Sequence, residues 1–283
     1  MQKTSGFLNI YKPSGISSAT VVHKVKKSID LSCGHMGTLD PLAEGVLPIA
    51  FGKATRLFNY LLHKQKTYRA VFLFGQQTDT EDSTGTVLVD NARVPTIEEI
   101  QNVLPNFTGE YLQVPPSYSA KSINGIRAYK LARQGEVVHL QAKKIIVYKI
   151  VCSKQLSNNQ FEFLITCGGG TYIRSFGRDI AQACNTVATM TRLIRERSGA
   201  FCIRNALQLH DLSSENWQKF AISPESVFEM QSVNFDNIEA EKLRNGLKLP
   251  FHEVGKYKLY LNDYFYGIAE GDGKFIKAKV RLV

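Results

Sequence analysis

The chain has 283 residues, long enough for one large domain and a smaller one, and its 35 Lys and Arg against 25 Asp and Glu give a net charge of +10. This excess favours a polyanionic partner such as a nucleic acid, although a solvated basic surface has the same composition. No apolar run approaches the roughly 18 residues of a membrane span, and no signal-peptide pattern opens the sequence. We therefore expect a soluble cytoplasmic protein that does not associate with membranes.

The cysteines and the known cofactor motifs point away from metal and cofactor chemistry. Five cysteines are scattered without a Cys-x-x-Cys pair, which predicts reduced and mostly buried thiols. We find no zinc-deaminase signature and no dinucleotide fingerprint with an acidic partner. The sequence therefore predicts neither a metal nor a cofactor.

The first elements in the chain are predicted to be a short strand and an amphipathic helix. Residues 7–11 are a β-prone run that a Lys-Pro-Ser-Gly turn at residues 12–15 ends. Apolar residues, among them Val21 and Val25, recur at helical spacing over residues 18–29, and lysines lie off that stripe. This helix leads directly into the loop described next.

Residues 34–48 contain three glycines and two prolines among fifteen residues. Such a stretch cannot be a helix, yet Leu39 and Leu42 are apolar enough to pin it onto a core. Pro41 biases Asp40 toward an extended backbone, so this carboxylate is expected at a fixed position. The loop can therefore hold a carboxylate in a fixed orientation toward a substrate, although an aspartate that merely caps a turn gives the same pattern.

The next stretch is predicted to alternate between strands and a short helix. We expect a buried strand over residues 46–51, a short helix over residues 54–62 and a strand over residues 66–74. The period of two in the last strand places Tyr68 at the end of an apolar face that includes Phe72. Tyr68 is therefore a candidate site residue, or else a tyrosine that packs across strands.

The middle of the chain carries two clear local signals. Thr96 and Glu99 form a capping box for a helix that runs to about Leu104. An Asn-Gly pair at residues 124–125 predicts a hairpin turn, and residues 128–134 can form a short helix.

A second hairpin and a glycine turn follow. Two β-rich runs over residues 144–152 and 160–167 are predicted to pair antiparallel. Three glycines at residues 168–170 then open a helix that extends to about residue 184, where free backbone N–H groups can bind an anion. No Gly-Lys-Ser/Thr is present, so this is not a nucleotide phosphate loop. Residues 213–231 look helical in part, and the lone Trp217 is expected to pack rather than to function.

The C-terminal part changes character. From residue 233 onward the pattern consists of short β runs and turns. Residues 242–283 hold nine Lys and Arg against four Asp and Glu, which leaves +5 on 42 residues. A small basic β-rich domain is therefore predicted at this end.

The loop at residues 34–48 matches a known catalytic motif. It fills every fixed position of Gly-His-x-Gly-x-Leu-Asp-Pro-x-Ala-x-Gly-x-Leu-Pro. On this motif the sequence resembles the TruB family, the bacterial tRNA pseudouridine 55 synthases. The turn at residues 12–15 and the stretches 75–85, 115–135 and 192–201 resemble further family segments in the same order, so the resemblance covers roughly residues 6–232.

The resemblance implies the fold, the activity and the partner. The fold would be α+β, with a mixed, mainly antiparallel central sheet flanked by helices over residues 1–232, and a small PUA-like RNA-binding domain over residues 233–283. The activity would be isomerisation of uridine 55 in the T loop of tRNA to pseudouridine, with the target base flipped out of its stack. The partner would be the T arm of tRNA, and the enzyme would be a monomer without metal or cofactor.

The resemblance also carries roles to individual residues. Asp40 takes the nucleophile position, and whether it attacks the sugar or first acts as a base at C2′ stays open. Tyr68 matches the tyrosine that stacks on the uracil and assists proton removal from C5, and Arg174 matches the arginine paired with the nucleophile. His35 matches the residue that fills the gap left in the RNA loop. The other matched substrate-binding positions are Tyr172, Leu193, Lys12 and Asp82. Arg56 is a further candidate and replaces the lysine that is frequent at its position in the family.

Two other functions fit parts of the same sequence. An RNA chaperone or binding module on this fold would need no catalytic aspartate, yet Asp40 is present. A glycosidase could use Asp40 and Glu44 as a carboxylate pair to cleave a glycosidic bond. Hydrolysis would release free uracil, whereas isomerisation keeps the base attached to the RNA.

Overall fold

The computed structural model describes residues 4–62, 64–119, 122–123, 125–127, 134 and 140–282. The strands are β1 Gly6–Lys12, β2 Cys33–His35, β3 Glu44–Phe51, β4 Lys66–Phe74, β5 Gln77–Thr78, β6 Val87–Val89, β7 Gly109–Gln113, β8 Ser122–Ile123, β9 Ile126–Arg127, β10 Lys143–Gln155, β11 Gln160–Cys167, β12 Ala188–Ser198, β13 Phe201–Cys202, β14 Leu207–Gln208, β15 Ser232–Phe235, β16 Leu249–Pro250, β17 Val254–Leu261, β18 Tyr264–Asp272 and β19 Phe275–Arg281. The α-helices are α1 Ser18–Ile29, α2 Phe58–Leu62, α3 Ile97–Val103, α4 Ile173–Ala183, α5 Trp217–Phe220 and α6 Asn237–Arg244.

The central sheet has the strand order β14-β1-β3-β12-β4-β11-β10-β7, with β13 paired to β12 and β2 paired to β3. The pairs β1/β14 and β12/β3 are parallel and the other pairs are antiparallel. The prediction of a mixed, mainly antiparallel sheet is confirmed. Strand β12 lies between β3 and β4, so a single strand separates the end of the loop at residues 34–48 from the strand that carries Tyr68.

Helices α1, α3 and α4 cover one face of this sheet, because strand and helix patterns point apolar side chains to a common core. In β4 the alternate residues Tyr68, Ala70 and Phe72 are buried, and they join one hydrophobic cluster with Val21 of α1 and Phe176 of α4. The capping box that opens α3 is present, with both of its reciprocal hydrogen bonds. The central sheet and its helices therefore form one core that fixes the strand ends around the site.

The C-terminal residues form a second, five-stranded sheet in the order β15-β17-β18-β19-β16. It has its own core with α6, so the expected small β-rich domain is confirmed. Ile268 and Val280 of this sheet also pack against Leu57 and Leu61 of the larger part. The two sheets are thus joined by apolar contact as well as by the chain.

Two local expectations needed correction or could not be assessed. The helix predicted over residues 54–62 is α only in its second half, because Gly52–Leu57 forms a 3₁₀ turn in which Thr55 Oγ1 bonds the Gly52 carbonyl. Residues 213–231 are helical in part, as expected, with the four-residue helix α5 and a 3₁₀ turn that begins at Pro224. The helix predicted over residues 128–134 lies outside the described residues.

Other local expectations are confirmed. Strands β8 and β9 pair antiparallel across the two residues predicted as a hairpin turn. Trp217 is buried with its ring edge-on to Phe51. All five cysteines are free thiols, and three of them are buried. Over the described part of the chain, no helix combines the length and apolar character that crossing a membrane requires.

Candidate active site

The loop that carries Asp40 is pinned at both ends by sheet pairing and in the middle by a buried hydroxyl. Strand β2 pairs with β3, and the Met36 N–H donates to the Pro48 carbonyl at 2.8 Å. In between, the Leu39 N–H donates to Ser18 Oγ at 2.9 Å, and that hydroxyl donates back to the Leu39 carbonyl at 2.8 Å. Leu39 is buried, so the apolar residues of the loop anchor it as its sequence predicted.

Two buried cations hold the backbone of this loop. Arg195, 1% exposed, donates from Nε to the Val46 carbonyl at 2.7 Å and from Nη2 to the Gly37 carbonyl at 3.0 Å. Lys12 is fully buried, and its Nζ donates to the Pro41 carbonyl at 3.1 Å. Burial lowers the pKa of Lys12 to about 8, and the Asp40 carboxylate acts in the opposite direction. The carbonyls of the loop are therefore satisfied by charged donors.

Arg174 holds the Asp40 carboxylate itself. Its Nη2 lies 3.0 Å from Asp40 Oδ2, and the guanidinium is 6% exposed whereas the Asp40 side chain is 40% exposed. The same guanidinium donates to the carbonyls of Thr80 and Tyr118, each at 3.0 Å. Asp82 Oδ2 lies 3.5 Å from its Nη1. Arg174 is thus fixed from three directions, while the Asp40 side chain stays partly exposed beside the cavity.

Local structure explains where Arg174 lies. The chain enters α4 at Tyr172, whose backbone N–H and carbonyl are bonded by the side-chain amide of Gln113 at 2.8 and 3.0 Å. Arg174 is the second residue of α4, so it projects from the first turn of a helix locked to β7. The glycine turn at residues 168–170 precedes it, as the sequence indicated.

A cavity of about 250 Å³ opens at Asp40. Its lining includes the predicted site residues Asp40, Tyr68, Tyr172, Arg174 and Leu193. Tyr68 and Leu193 reach it from the paired strands β4 and β12. Burial raises the pKa of Tyr68, and Arg195 beside it acts in the opposite direction. Burial also raises the pKa of Tyr172, so both phenols carry their protons at neutral pH.

A second and larger cavity, of about 690 Å³, adjoins Asp40 and Arg174 near the start of α1. His35 lines it, with an Nδ1 atom that is buried and has no hydrogen-bond partner. Burial lowers the pKa of His35, and the nearby Arg195 lowers it further, so the imidazole is neutral. Asp82 lines this cavity too, and it accepts hydrogen bonds from Thr80 Oγ1 and the Thr84 N–H at 2.9 and 3.0 Å.

The predicted site residues fall into four groups. The first cavity brings together Asp40, Tyr68, Tyr172, Arg174 and Leu193, the second adds His35 and Asp82, and Lys12 lies beneath the loop. Arg56 lies apart from them, in a different cavity beside Lys53 and Thr55, where its Nη1 donates to the Arg281 carbonyl at 3.3 Å.

Sequence reasoning missed Lys66 and Arg195, which both line the first cavity. Lys66 is 4% exposed, its Nζ donates to the carbonyls of Leu62 and Lys64, and burial lowers its pKa to about 8. A signal was available, because Lys66 has the same strand phase as Tyr68, and Arg195 has the same phase as Leu193. A cation on the buried phase of a strand indicates a site or a buried hydrogen-bond network.

Among the described residues, no group of three or more His, Cys, Asp and Glu side chains could hold a metal ion. The carboxylates at the site are instead bonded by the Arg174 guanidinium and by hydroxyl and amide groups.

Comparisons with known proteins match this chain to a domain family and to named relatives. Residues 24–173 match the model of the TruB family pseudouridylate synthase N-terminal domain. A tRNA pseudouridine synthase B of Clostridium perfringens strain 13 is 39% identical, with 99% of each chain covered. One of Ehrlichia chaffeensis is 36% identical, covering 88% of this chain and 87% of its own.

Solved structures share the fold as well. A chain in the crystal structure of a Cbf5-Nop10-Gar1 complex superposes with a TM-score of 0.75 at 25% identity, covering 99% of this chain and 85% of that one. A chain of an archaeal box H/ACA sRNP Nop10-Cbf5 complex gives 0.73 at 23% identity, covering 99% and 86%. With a family model that spans more than half of its residues and relatives that match it end to end, the chain belongs to the TruB family of pseudouridylate synthases.

Proposed function

We propose that this enzyme isomerises uridine 55 in the T loop of tRNA to pseudouridine, with Asp40 as the nucleophile and the target base flipped into the cavity lined by Tyr68 and Leu193. Relatives that match the whole chain are named tRNA pseudouridine synthase B, which supports tRNA as the substrate. The net charge of +10 suits a polyanionic partner of this kind.

The observation that carries the proposal is the half-exposed Asp40 carboxylate, fixed by buried Arg174 at the mouth of a small cavity. At about 250 Å³ the cavity is smaller than the roughly 300–1,000 Å³ pockets that hold drug-sized ligands, so a single base suits it. A base must leave its stack to reach such a cavity. Asp40 then lies where the sugar of the flipped nucleotide would enter.

The chemistry needs no oxidant, reductant or group donor. The bond from C1′ to N1 breaks, a bond from C1′ to C5 forms, C5 loses a proton and N1 gains one. Asp40 either attacks the sugar or first removes the C2′ proton. Tyr68 stacks on the base, and because burial keeps its hydroxyl protonated, it acts on the C5 proton as a relay rather than as a free base.

The neighbouring groups have supporting roles. Neutral His35 occupies the second cavity, where it can fill the space that the flipped base leaves in the RNA loop. Tyr172 closes the wall of the first cavity, and Asp82 supports Arg174 from behind. Arg56, which lies apart, would contact the RNA backbone.

The glycosidase alternative is disfavoured by the position of Glu44. Its carboxylate accepts hydrogen bonds from Arg192 at 2.9 Å and from the Tyr11 hydroxyl at 2.9 Å. Those partners occupy both of its oxygens, so Glu44 is poorly placed to act on a substrate beside Asp40.

Incubation of the enzyme with an unmodified tRNA transcript, followed by mapping of pseudouridine and assay of free uracil, tests the proposal. We expect pseudouridine at position 55, no free uracil, and a loss above about 10⁴-fold in Asp40→Asn with little change in tRNA affinity. Asp30→Asn, which removes a surface carboxylate at the end of α1, is the matched control and should keep full activity. Measurable product from Asp40→Asn, modification only at another position, or release of uracil would refute the proposal.

A further inference from the structure

A second arginine lies one turn beyond Arg174 on α4 and is bonded to the same two chain segments. Arg174 donates to the carbonyls of Thr80 and Tyr118. Arg178 binds the Glu81 carboxylate at 2.5 Å and donates to the Val114 carbonyl at 2.8 Å. Each arginine therefore bridges the loop at residues 79–86 to the segment at residues 114–118.

Glu81 is held in an unusual backbone conformation. Its φ is 62°, in the left-handed region that residues with a side chain seldom adopt. This conformation turns the Glu81 side chain toward α4, where it accepts from Ser175 Oγ at 3.1 Å as well as from Arg178. The residues on either side of it, Thr80 and Asp82, face the Arg174 guanidinium instead.

We propose that Glu81 and Arg178 form a positioning clamp: they fix the two segments that surround Arg174, and through Arg174 they set the orientation of Asp40. The inference rests on the proposed function, since it concerns the rate at the same site. Neither residue lines the cavity at Asp40, so both act through Arg174 and neither is a catalytic residue.

The electrostatics make the two residues act as a unit. Burial raises the pKa of Glu81, and Arg178 is the largest of the groups that oppose this rise. Loss of Arg178 would therefore favour the neutral carboxyl and weaken the clamp from both sides. Glu81→Gln and Arg178→Met should have similar effects, and the double variant should lose little more than either one.

The experiment measures kcat, KM and tRNA affinity in the full-length enzyme for Glu81→Gln, Arg178→Met, Arg178→Lys and the double variant. We expect kcat to fall by about 10–100-fold in Glu81→Gln and Arg178→Met, since small misplacements of catalytic groups cost this much, with KM little changed. The kcat of Arg178→Lys should lie between those of wild type and Arg178→Met. An ammonium can reach Glu81 but cannot also donate to the Val114 carbonyl as the guanidinium does.

Arg93→Met is the matched control. Arg93 also ties α4 to another segment, because it donates to the Cys184 carbonyl at the end of the helix and pairs with Glu99. It touches neither segment around Arg174, so this variant should lose stability without losing kcat. Amide exchange at residues 79–86 and 114–118 should rise in Arg178→Met and stay unchanged in Arg93→Met.

The outcomes separate the clamp from the proposed function. If wild type and Arg93→Met both form product, an unchanged kcat in Glu81→Gln and Arg178→Met would overturn the clamp. A change confined to KM, or additive losses of kcat in the double variant, would overturn it as well. Absence of product from the wild type would refute the proposed function instead. In that case amide exchange alone decides, and equal exchange in Arg178→Met and Arg93→Met would overturn the clamp.

Discussion

The loop that carries Asp40 is held from two sides by different kinds of partner. On one side Arg174 binds the Asp40 carboxylate and is flanked by a second carboxylate, Asp82. On the other side Arg195 and Lys12 bind backbone carbonyls, chiefly those of the loop. The first side acts on the reacting group itself, and the second acts on the backbone that carries it.

This difference predicts whether the loss of each cation changes the catalytic rate, the stability or both. An arginine paired with a half-exposed carboxylate chiefly fixes the charge and rotation of that group, so its loss should appear in the rate. A buried cation bonded to carbonyls leaves several of them unsatisfied when it is removed, so its loss should appear in stability as well. Substitutions on the two sides test this division.

Arg174→Lys should give the largest effect. The guanidinium contacts Asp40, Asp82 and two backbone carbonyls at once, which an ammonium cannot do. We therefore expect kcat to fall by about 10²–10³-fold, nearly as far as in Arg174→Ala. Steady-state kinetics with tRNA would measure this, with tRNA affinity as a control for binding. A kcat near the wild-type value would mean that the loop alone orients Asp40.

Arg195→Lys should affect both properties. Three carbonyl contacts depend on the guanidinium, so the free energy of unfolding should fall by at least about 2 kcal/mol and kcat by about 10-fold. Urea unfolding and kinetics on the same preparation would test this. A loss of rate with unchanged stability would place Arg195 on the same side of the comparison as Arg174.

Lys12 should affect how the free energy of unfolding depends on pH. Its pKa is about 8 in the folded protein and near 10.5 in the unfolded chain, so between these values the unfolded state binds more protons and stability rises with pH. One group contributes up to about 1.4 kcal/mol per pH unit. In urea unfolding at pH 8 to 10, Lys12→Met should lose this rise in the free energy of unfolding with pH. Lys53→Met, which replaces an exposed lysine, should keep it. Parallel curves for wild type and Lys12→Met would contradict the prediction.

Arg56 extends the comparison to a cation outside the site and should give the smallest effect. If it contacts one phosphate, Arg56→Ala should reduce the salt dependence of tRNA binding by about 0.7–0.9 in log–log slope and leave kcat unchanged. Binding measured across a range of salt concentrations tests this. A reduced kcat with an unchanged slope would assign Arg56 to the catalytic region.

Much of the site was readable from the sequence because it is local in the chain. Pro41 and the glycines of residues 34–48 dictate a loop, and Leu39 indicates its anchor, so Asp40 could be singled out directly. Strand periodicity likewise placed Tyr68 on the buried face of β4. The net charge indicated the polyanionic partner, and the cysteine spacing indicated the reduced thiols. Both can be read without knowing which residues are in contact in the fold.

Tertiary structure alone decided the rest, because those features depend on residues far apart in sequence. The carbonyl clamp of Arg195 joins residues more than 140 positions apart, and no pattern around Arg195 names its partners. The apolar contact of Ile268 with Leu57 arises only when the second sheet packs on the first. Local sequence fixes which backbone conformations and faces are favourable, whereas a buried charge is acceptable only where distant groups supply its hydrogen bonds, and the fold alone brings those groups together.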